Sequence, residues 1–251
     1  RASESRLRRF LADASHELRT PLTSIRGYAE LFRRGAGARP EDLATSMRRI
    51  EEEAARMGVM VDDLLLLARL DQGRPMELAP VDLAAIAADA VADARTVNGG
   101  RQISVDAPDR LELSGDEARL REVVANLLSN ALEYTDGAID VSVRPDDASA
   151  LLDVADHGPG LTEEQRAQVF EPFYRTDPAR TRRKAGAGLG LSIVSAILEA
   201  HGGSIAILET DGGGATFRVK LPALRTSPED PTPNASVVTA APDEQPASGQ
   251  A

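Results

Sequence analysis

A stripe of apolar residues spaced alternately by four and three positions constrains this 251-residue chain more than any other feature. The spacing is typical of the seam of a supercoiled helical bundle. A similar stripe precedes it, and the short GAGARP connection predicts that the two helices are antiparallel neighbours. The stripe residues are Leu11, Ala14, Leu18, Leu22, Ile25, Ala29 and Phe32, followed by Leu43, Met47, Ile50, Ala54, Met57, Val61, Leu64 and Ala68.

This helical region covers residues 1–74. A single hairpin would leave much of both apolar stripes in contact with water, which is unfavourable. We therefore predict a homodimer in which two all-α antiparallel hairpins form a four-helix bundle.

The pattern changes after the helical hairpin. Helical patterns over 82–97, 116–134 and 189–203 are interspersed with short strand patterns. Helices with a mixed sheet predict a two-layer α/β sandwich over 75–222. Residues 223–251 are rich in Pro, Ser and Ala, which predicts a disordered tail. The predicted strands cover 102–106, 111–113, 138–144, 150–156, 204–209 and 215–221.

The composition excludes several classes of function. The chain has 29 basic against 40 acidic residues, a formal charge of −11, which argues against a direct nucleic-acid partner. The absence of cysteine excludes a disulfide framework, a thiolate metal site and a cysteine nucleophile. No apolar run approaches the roughly 18 residues of a membrane span. The start at Arg1, without Met or a signal peptide, predicts that the sequence was cut from a longer protein.

One histidine of the first helix is a candidate nucleophile. At about 100° per residue, His16 lies about 160° from the centre of the apolar stripe and points outward. Glu17 flanks the imidazole and could orient or take its second proton, and Thr20, one turn later, could position a water. Pro21 removes a backbone donor and allows a local kink. Position alone favours an ordinary solvated histidine, whereas these neighbours favour a nucleophile.

The sequence around this histidine, FLADASHELRTPL, resembles the H box of sensor histidine kinases, which lies in their dimerisation and phosphotransfer domain. In that family the histidine that matches His16 accepts a phosphoryl group. The resemblance implies that Glu17 assists the proton transfer. It also implies that Thr20 helps to place the water that dephosphorylates the partner regulator.

Three later elements are candidates for nucleotide binding. Asn126 and Asn130 lie four residues apart on one helix face, where their amide oxygens could bind Mg²⁺ beside phosphate. Asp156 of DHGPG could accept a hydrogen bond from an adenine amino group, and GAGLGL at 186–191 opens a helix whose free amides favour phosphate. Taken singly, the asparagines could be a surface pair and DHGPG an Asx-type turn. The glycine spacing fits neither a Rossmann unit nor a P-loop.

Together with FEPFYR at 170–175, these elements resemble, in order, the N, G and F boxes of the histidine kinase ATP-binding domain. Its Bergerat (GHKL) fold is shared with gyrase and MutL ATPases. The resemblance implies ATP and Mg²⁺ as cofactors, Asn126 and Asn130 as metal ligands, Asp156 as the adenine reader and 175–187 as a mobile lid. The further nucleotide-binding residues that it implies are Tyr134, Gly158, Gly160, Arg175, Gly186, Gly188, Leu189 and Gly190.

Three residues depart from the family's pattern. Glu133 lies where these kinases usually have a phosphate-contacting lysine, and an acid there repels a triphosphate unless it turns outward or meets an arginine. His157 replaces the usual asparagine of DNGPG, and we predict a solvated loop side chain. Ala185 replaces the first glycine of the lid motif, which should stiffen the lid. His201 resembles the family's helix-ending histidine, for which we predict a structural role.

The resemblance covers about residues 5–222 and predicts an ATP-dependent protein-histidine kinase. It implies that the phosphoryl group of His16 passes to an aspartate on the receiver domain of a response regulator, and that the chain also dephosphorylates that regulator. It further implies the cytoplasmic portion of an inner-membrane protein whose membrane contact lies in a missing N-terminal region.

Two alternative functions remain open. Glu133 is compatible with a non-enzymatic or degenerate dimeric phosphotransfer scaffold. A hydrolytic ATPase of the same fold is disfavoured, because Asn126 occupies the position of the catalytic glutamate and cannot act as a base.

Overall fold

Two long helices form the N-terminal part of the molecule. They are α1, Ala2–Arg33, and α2, Pro40–Asp71, and they pack against each other. This confirms the predicted helical hairpin. The structure, a computed structural model, describes residues 2–34, 40–71, 76–176 and 187–223.

Three predictions from the sequence fall wholly or largely outside the described ranges. They concern the GAGARP connection, the basic and glycine-containing part of the lid, and the disordered tail. The residues concerned are 35–39, 177–186 and 224–251.

The hairpin leaves much of its apolar surface uncovered, as its sequence predicts. Ala14 is buried, but Leu11, Leu22 and Val61 are 55%, 48% and 42% exposed. Although α1 and α2 are long, none of the helices in the described ranges is both long and apolar enough to cross a membrane.

The second part of the chain contains shorter helices and two sheets. The helices are α3 (Leu83–Val97), α4 (Glu117–Tyr134), α5 (Glu163–Gln168) and α6 (Gly190–Ala200). The strands are β1 (Ala79–Asp82), β2 (Ile103–Asp106), β3 (Glu112–Gly115), β4 (Ile139–Asp146), β5 (Ser149–Asp156), β6 (Ser204–Glu209) and β7 (Ala215–Pro222).

Five strands form the main sheet in the order β2-β4-β5-β7-β6. Strand β2 runs parallel to β4, and the other pairs are antiparallel. The alternation in β4 buries Val141 and Val143 on one face, and in the register of the sheet Val143 lies opposite Leu152. Helices against one face of a mixed sheet confirm the predicted α/β class.

Two elements of the structure were not predicted from the sequence. Strand β1 has only four residues, including a proline, and pairs with β3 outside the main sheet. Helix α5 has six residues, none of them buried, so it has no apolar periodicity that could reveal it. It is instead fixed by a capping box between Thr162 and Gln165.

The core lies between the sheet and helices α4 and α6. It is built from the apolar faces of these helices, with Leu127 and Val124 of α4 and Ile193 and Ile197 of α6 at most 1% exposed. The same cluster continues into α2 through Leu66, Leu67 and Met60. The helical hairpin and the α/β region therefore share one apolar core.

A polar cleft of about 250 Å³ lies at this junction, between α2 and α4. Asp63 of α2 lies in it, and burial, followed by the charges of Glu122 and Asp62, raises the pKa of Asp63 to about 6. Arg69 and Arg119 also line the cleft. The raised pKa means that the folded chain favours the protonated, neutral form of Asp63.

We predict that Asp63→Asn stabilises the chain at pH 7. Because the folded chain binds the Asp63 proton more tightly than the unfolded chain, the stability contributed by Asp63 is complete below about pH 4 and is lost as pH rises through about 6. The expected gain is about 1 kcal/mol at pH 7, since the carboxyl keeps part of its contact with water. Urea unfolding between pH 4 and 7 measures it, and an unchanged pH dependence in the variant contradicts the prediction.

Candidate functional site

The candidate nucleophile lies on an open face of α1. His16 is exposed, as the helical pattern predicts, and Thr20 is exposed one turn later. The Thr20 hydroxyl donates to the His16 carbonyl oxygen at 3.4 Å. Glu17, beside the histidine, is half-buried. An exposed imidazole with a neighbouring carboxylate can reach a ligand brought from outside the hairpin.

Pro21 lies inside α1, which continues through it to Arg33. Proline has no backbone N–H, so the carbonyl oxygen of Glu17 lacks its usual helical donor four residues later. The free carbonyl is thus in the same turn as the candidate nucleophile. The helix is weakened at this point without being ended.

Helix α4 presents the two asparagines beside its buried face. Asn126 and Asn130 are half-buried, flanking apolar positions that the core covers. The start of α6 approaches Asn126 closely, since a Cβ added to Gly190 would lie 2.8 Å from Asn126 Oδ1. Any side chain at position 190 would crowd the Asn126 amide oxygen, and glycine leaves that space open. The structure thus brings the N-box amide and the GLGL segment together.

A buried carboxylate ends strand β5. Asp156 is 6% exposed, and its Oδ1 accepts the Gly158 N–H at 2.9 Å. Burial raises the pKa of Asp156, although the backbone N–H groups of Gly158 and Ala215 oppose the shift. Each carboxylate oxygen has two lone pairs, so Asp156 can accept a further hydrogen bond from an amino group of a ligand. A Cβ on Gly158 would lie 2.8 Å from Asp156 Oδ1, so glycine keeps this space open.

The DGGG turn between β6 and β7 forms a second side of this site and was not predicted from the sequence. A Cβ added to Gly214 would lie 1.9 Å from the Asp156 carbonyl oxygen, and the φ of Gly214 is +112°. Gly160, with φ +73°, packs against the carbonyl oxygen of Gly214. Three consecutive glycines between two strands were the signal that could have revealed this close backbone approach.

The segment after α5 packs onto the GLGL segment. Phe173 adopts φ +65°, unusual for a large side chain, and its N–H donates to the Gly188 carbonyl oxygen at 2.9 Å. Gly188, at φ +75°, comes so close that a Cβ would lie 3.0 Å from the Tyr174 carbonyl oxygen. Leu189 is only 1% exposed, so it can reach a ligand only with its backbone. Gly186 lies outside the described residues.

This packing places Arg175 beside the end of α4. Its Nε and Nη2 atoms are buried and have no hydrogen-bond partner. Partial burial raises the pKa of Glu133 and of Tyr134, and the charge of Arg175 opposes both shifts. A buried guanidinium with free donors is a group that an anion can satisfy.

The remaining two histidines both have partners. His157 is an exposed loop side chain, as predicted, and it also has a partner that the sequence did not indicate: its Nε2 lies 2.9 Å from Asp140 Oδ2. Ser104 Oγ donates to Asp140 Oδ1 at 2.5 Å, and these bonds from Ser104 and His157 lower the pKa of Asp140. A charged carboxylate thus fixes the loop that follows Asp156 to the sheet.

His201 has a structural position, as predicted. Its Nε2 accepts the Asp116 N–H at 3.0 Å, which places the ring proton on Nδ1, 2.8 Å from the Ile197 carbonyl oxygen. Asp116 caps α4 and Ile197 belongs to α6, so one ring joins the two helices that carry the candidate site.

The structure brings the later motifs together but leaves the histidine apart. Among the described residues, no hydrogen bond or ion pair links His16, Glu17 or Thr20 to the site around Asp156. The described ranges also hold no group of three His, Cys, Asp or Glu residues suited to a metal.

Two family models match the chain. The model described as "His Kinase A (phospho-acceptor) domain" matches residues 6–73, which include both long helices. The model described as "Histidine kinase-, DNA gyrase B-, and HSP90-like ATPase" matches residues 115–225, which include the site around Asp156.

The relatives are kinases of one type. "Probable sensor histidine kinase TcrY" of Mycobacterium tuberculosis is 45% identical over 235 residues, covering 92% of this chain and 49% of TcrY. "Signal transduction histidine-protein kinase BaeS" of Escherichia coli is 38% identical over 224 residues, covering 87% of this chain and 47% of BaeS. The chain thus spans about half the length of these curated relatives.

A solved structure extends the likeness to three dimensions. Full-length ShkA in complex with AMPPNP matches with a TM-score of 0.64 and 30% identity, over 88% of this chain and 47% of ShkA.

We predict that Gly214→Ala destabilises the chain much more than Gly212→Ala does. Both glycines have positive φ, but an added Cβ at position 212 meets nothing within 4 Å, whereas at position 214 it collides with the Asp156 backbone. The expected difference is at least about 2 kcal/mol, because the collision adds to the backbone strain. Thermal unfolding of the two variants measures it, and equal losses of stability contradict the prediction.

Proposed function

The chain belongs to the sensor histidine kinase family, and we propose that it is an ATP-dependent protein-histidine kinase that phosphorylates His16. The phosphoryl group then passes to an aspartate on the receiver domain of a response regulator. One observation carries the proposal. The hairpin that presents the exposed imidazole of His16 shares one apolar core with the region that combines Asn126, Asp156 and the GLGL glycines in one site. The names of the relatives support it.

We assign nucleotide binding to the residues around Asp156. The Asp156 carboxylate suits the adenine amino group, and Gly158 and Gly160 let the backbone approach the ring. Arg175 has unpaired buried donors for phosphate oxygens, and the glycine-bounded space beside Asn126 leaves room for them. The complex of ShkA with AMPPNP supports an adenine nucleotide as the ligand.

Asn126 and Asn130 are the proposed Mg²⁺ ligands. Their amide oxygens are the hard donors that this ion prefers when phosphate and water complete its shell. A bound Mg²⁺ would neutralise charge on the phosphates during transfer. Of the remaining residues in the site, Tyr134, Gly188, Leu189 and Gly190 complete the proposed nucleotide contacts, and Gly186 belongs to the lid.

In the proposed reaction an imidazole nitrogen of His16 attacks the γ-phosphorus of ATP. A P–N bond forms, the bond from the γ-phosphorus to the bridging oxygen breaks, and ADP leaves with that electron pair. Glu17, the adjacent carboxylate, orients the imidazole and receives its proton. We assign the placement of water for dephosphorylation of the regulator to Thr20.

We propose that the active form is a homodimer and that residues 1–74 form its dimerisation and phosphotransfer domain, with 75–222 as the catalytic domain. The exposed apolar positions of the hairpin support the dimer, since a second hairpin would bury them. The match of residues 6–73 to a phospho-acceptor domain supports the same arrangement.

The sensor names of the relatives and their greater length support the prediction that the whole protein is anchored in a membrane. The kinase part would then be cytoplasmic. Fractionation of the full-length protein between membrane and soluble extracts tests this.

We predict that Val61→Glu dissociates the dimer and that Val59→Glu does not. Two positions along a helix are about 200° apart, so these valines lie on opposite faces of α2. Val61 belongs to the apolar stripe, whereas Val59, at 62% exposed, lies on the other side. A carboxylate buried in the seam should weaken dimerisation at least tenfold, on the order of 1.4 kcal/mol. Sedimentation equilibrium measures the dissociation constant, and equal effects of both variants contradict the proposed seam.

We predict that His16→Gln abolishes labelling by γ-labelled ATP. The label on the unmodified chain should be acid-labile and base-stable, as expected for a phosphohistidine. Thr20→Ala is the matched control on the same face of α1: it should keep the label on His16 but slow the removal of phosphate from the regulator. Label that persists in His16→Gln would exclude His16 as the acceptor, and a chain that binds no nucleotide with Mg²⁺ would favour a phosphotransfer scaffold.

A further inference from the structure

Glu133 is an acidic residue beside the proposed phosphate contacts. It follows Asn130 by three positions and Asn126 by seven, so all three lie on one face of α4. Its side chain keeps contact with solvent, and it precedes Tyr134 at the end of the helix. The negative charge of Glu133 therefore lies on the helix face to which we assign phosphate and Mg²⁺.

Arg175 is the positive group that acts on this acid. The charge of Arg175, from the segment after α5, lowers the pKa of Glu133, and the charge of Glu133 raises the pKa of Tyr134 on its own helix. Arg175 makes no hydrogen bond through Nε or Nη2, although both atoms are buried. The Arg175 guanidinium thus interacts with the charge of Glu133, but its Nε and Nη2 donors make no hydrogen bond to that carboxylate.

We propose that Glu133 is a specificity-determining residue that competes with the phosphate groups of the nucleotide for Arg175, and so limits how much each phosphate adds to affinity. The inference rests on the proposed function, since it concerns the same nucleotide site. Glu133 supplies a counter-charge to Arg175 in the free protein, and the phosphates must displace that charge or be repelled by it.

The proposal separates the two ends of the nucleotide. Adenosine carries no charge, so the Glu133 carboxylate should leave its binding unchanged. ADP and ATP carry increasing negative charge, so the penalty should increase with the number of phosphates. A purely structural role of Glu133 would instead change the affinity for all three ligands alike.

Calorimetric titration of the full chain with adenosine, ADP and ATP, each with Mg²⁺, tests the inference. Glu133→Gln should bind ATP about tenfold more tightly and ADP about threefold more tightly, with adenosine unchanged, which is the scale of one partly screened charge pair. Glu133→Lys should shift ATP affinity further in the same direction. Glu117→Gln, the same substitution on the same helix at an acid paired with Arg121, is the matched control and should change none of the three.

The Arg175→Ala background tests the competition itself. In the Arg175→Ala background, Glu133→Gln should improve ATP binding by clearly less than tenfold, because the guanidinium for which Glu133 and the phosphates compete is absent. A full effect in that background, an equal change for all three ligands, or no change for ATP would overturn the inference while leaving the proposed function intact. If neither the unmodified chain nor Glu133→Gln binds any adenine nucleotide, the proposed function fails and the inference fails with it.

Discussion

The packing of α4 and α6 side by side on one face of the sheet is the constraint on which the rest of the structure depends. Their apolar faces form the centre of the core, with Leu127, Ile193 and Ile197 almost completely buried. His201 adds a polar link, since it accepts the Asp116 N–H at the start of α4 and lies at the end of α6. Because α4 carries the asparagines and α6 begins at the GLGL glycines, the relative position of two helices sets the geometry of the proposed phosphate site.

The helical hairpin is joined to this unit by apolar contacts. Leu66 and Leu67 of α2 belong to the same core as α4 and α6, and the rings of Phe10 and Phe173 lie 5.7 Å apart. Phe10 is six residues before His16 on α1, and the backbone N–H of Phe173 donates a hydrogen bond to the Gly188 carbonyl oxygen. Helix α1, which carries the proposed phosphoacceptor, therefore contacts the segment after α5. The polar cleft around Asp63 lies at the same junction, so charged groups as well as apolar side chains line the contact between the two parts.

Glu133 and Arg175 bear on the choice between an active kinase and a degenerate scaffold. An acid near a triphosphate argues against tight binding, but this acid lies in the field of a guanidinium that has unused donors. The pair is compatible with nucleotide binding that is weakened rather than abolished. Asn126, by contrast, has no capacity to act as a base, which keeps the hydrolytic alternative the least favoured of the three.

Local patterns in the sequence determined the two-part organisation, the long helices, the α/β class, the outward position of His16 and the motifs around Asn130 and Asp156. These features depend on residues close together in the chain, where periodicity and glycine placement directly restrict the backbone. Only the tertiary structure decided how distant segments meet: the DGGG turn against Asp156, His157 on Asp140, and the unpaired donors of Arg175 beside Glu133. Strand β1 and helix α5 were not predicted for a related reason. Each is too short to show a hydrophobic period; β1 is stabilised by its partner strand and α5 by its cap. Such contacts join residues far apart in sequence, and their distances follow from packing, which no local pattern contains.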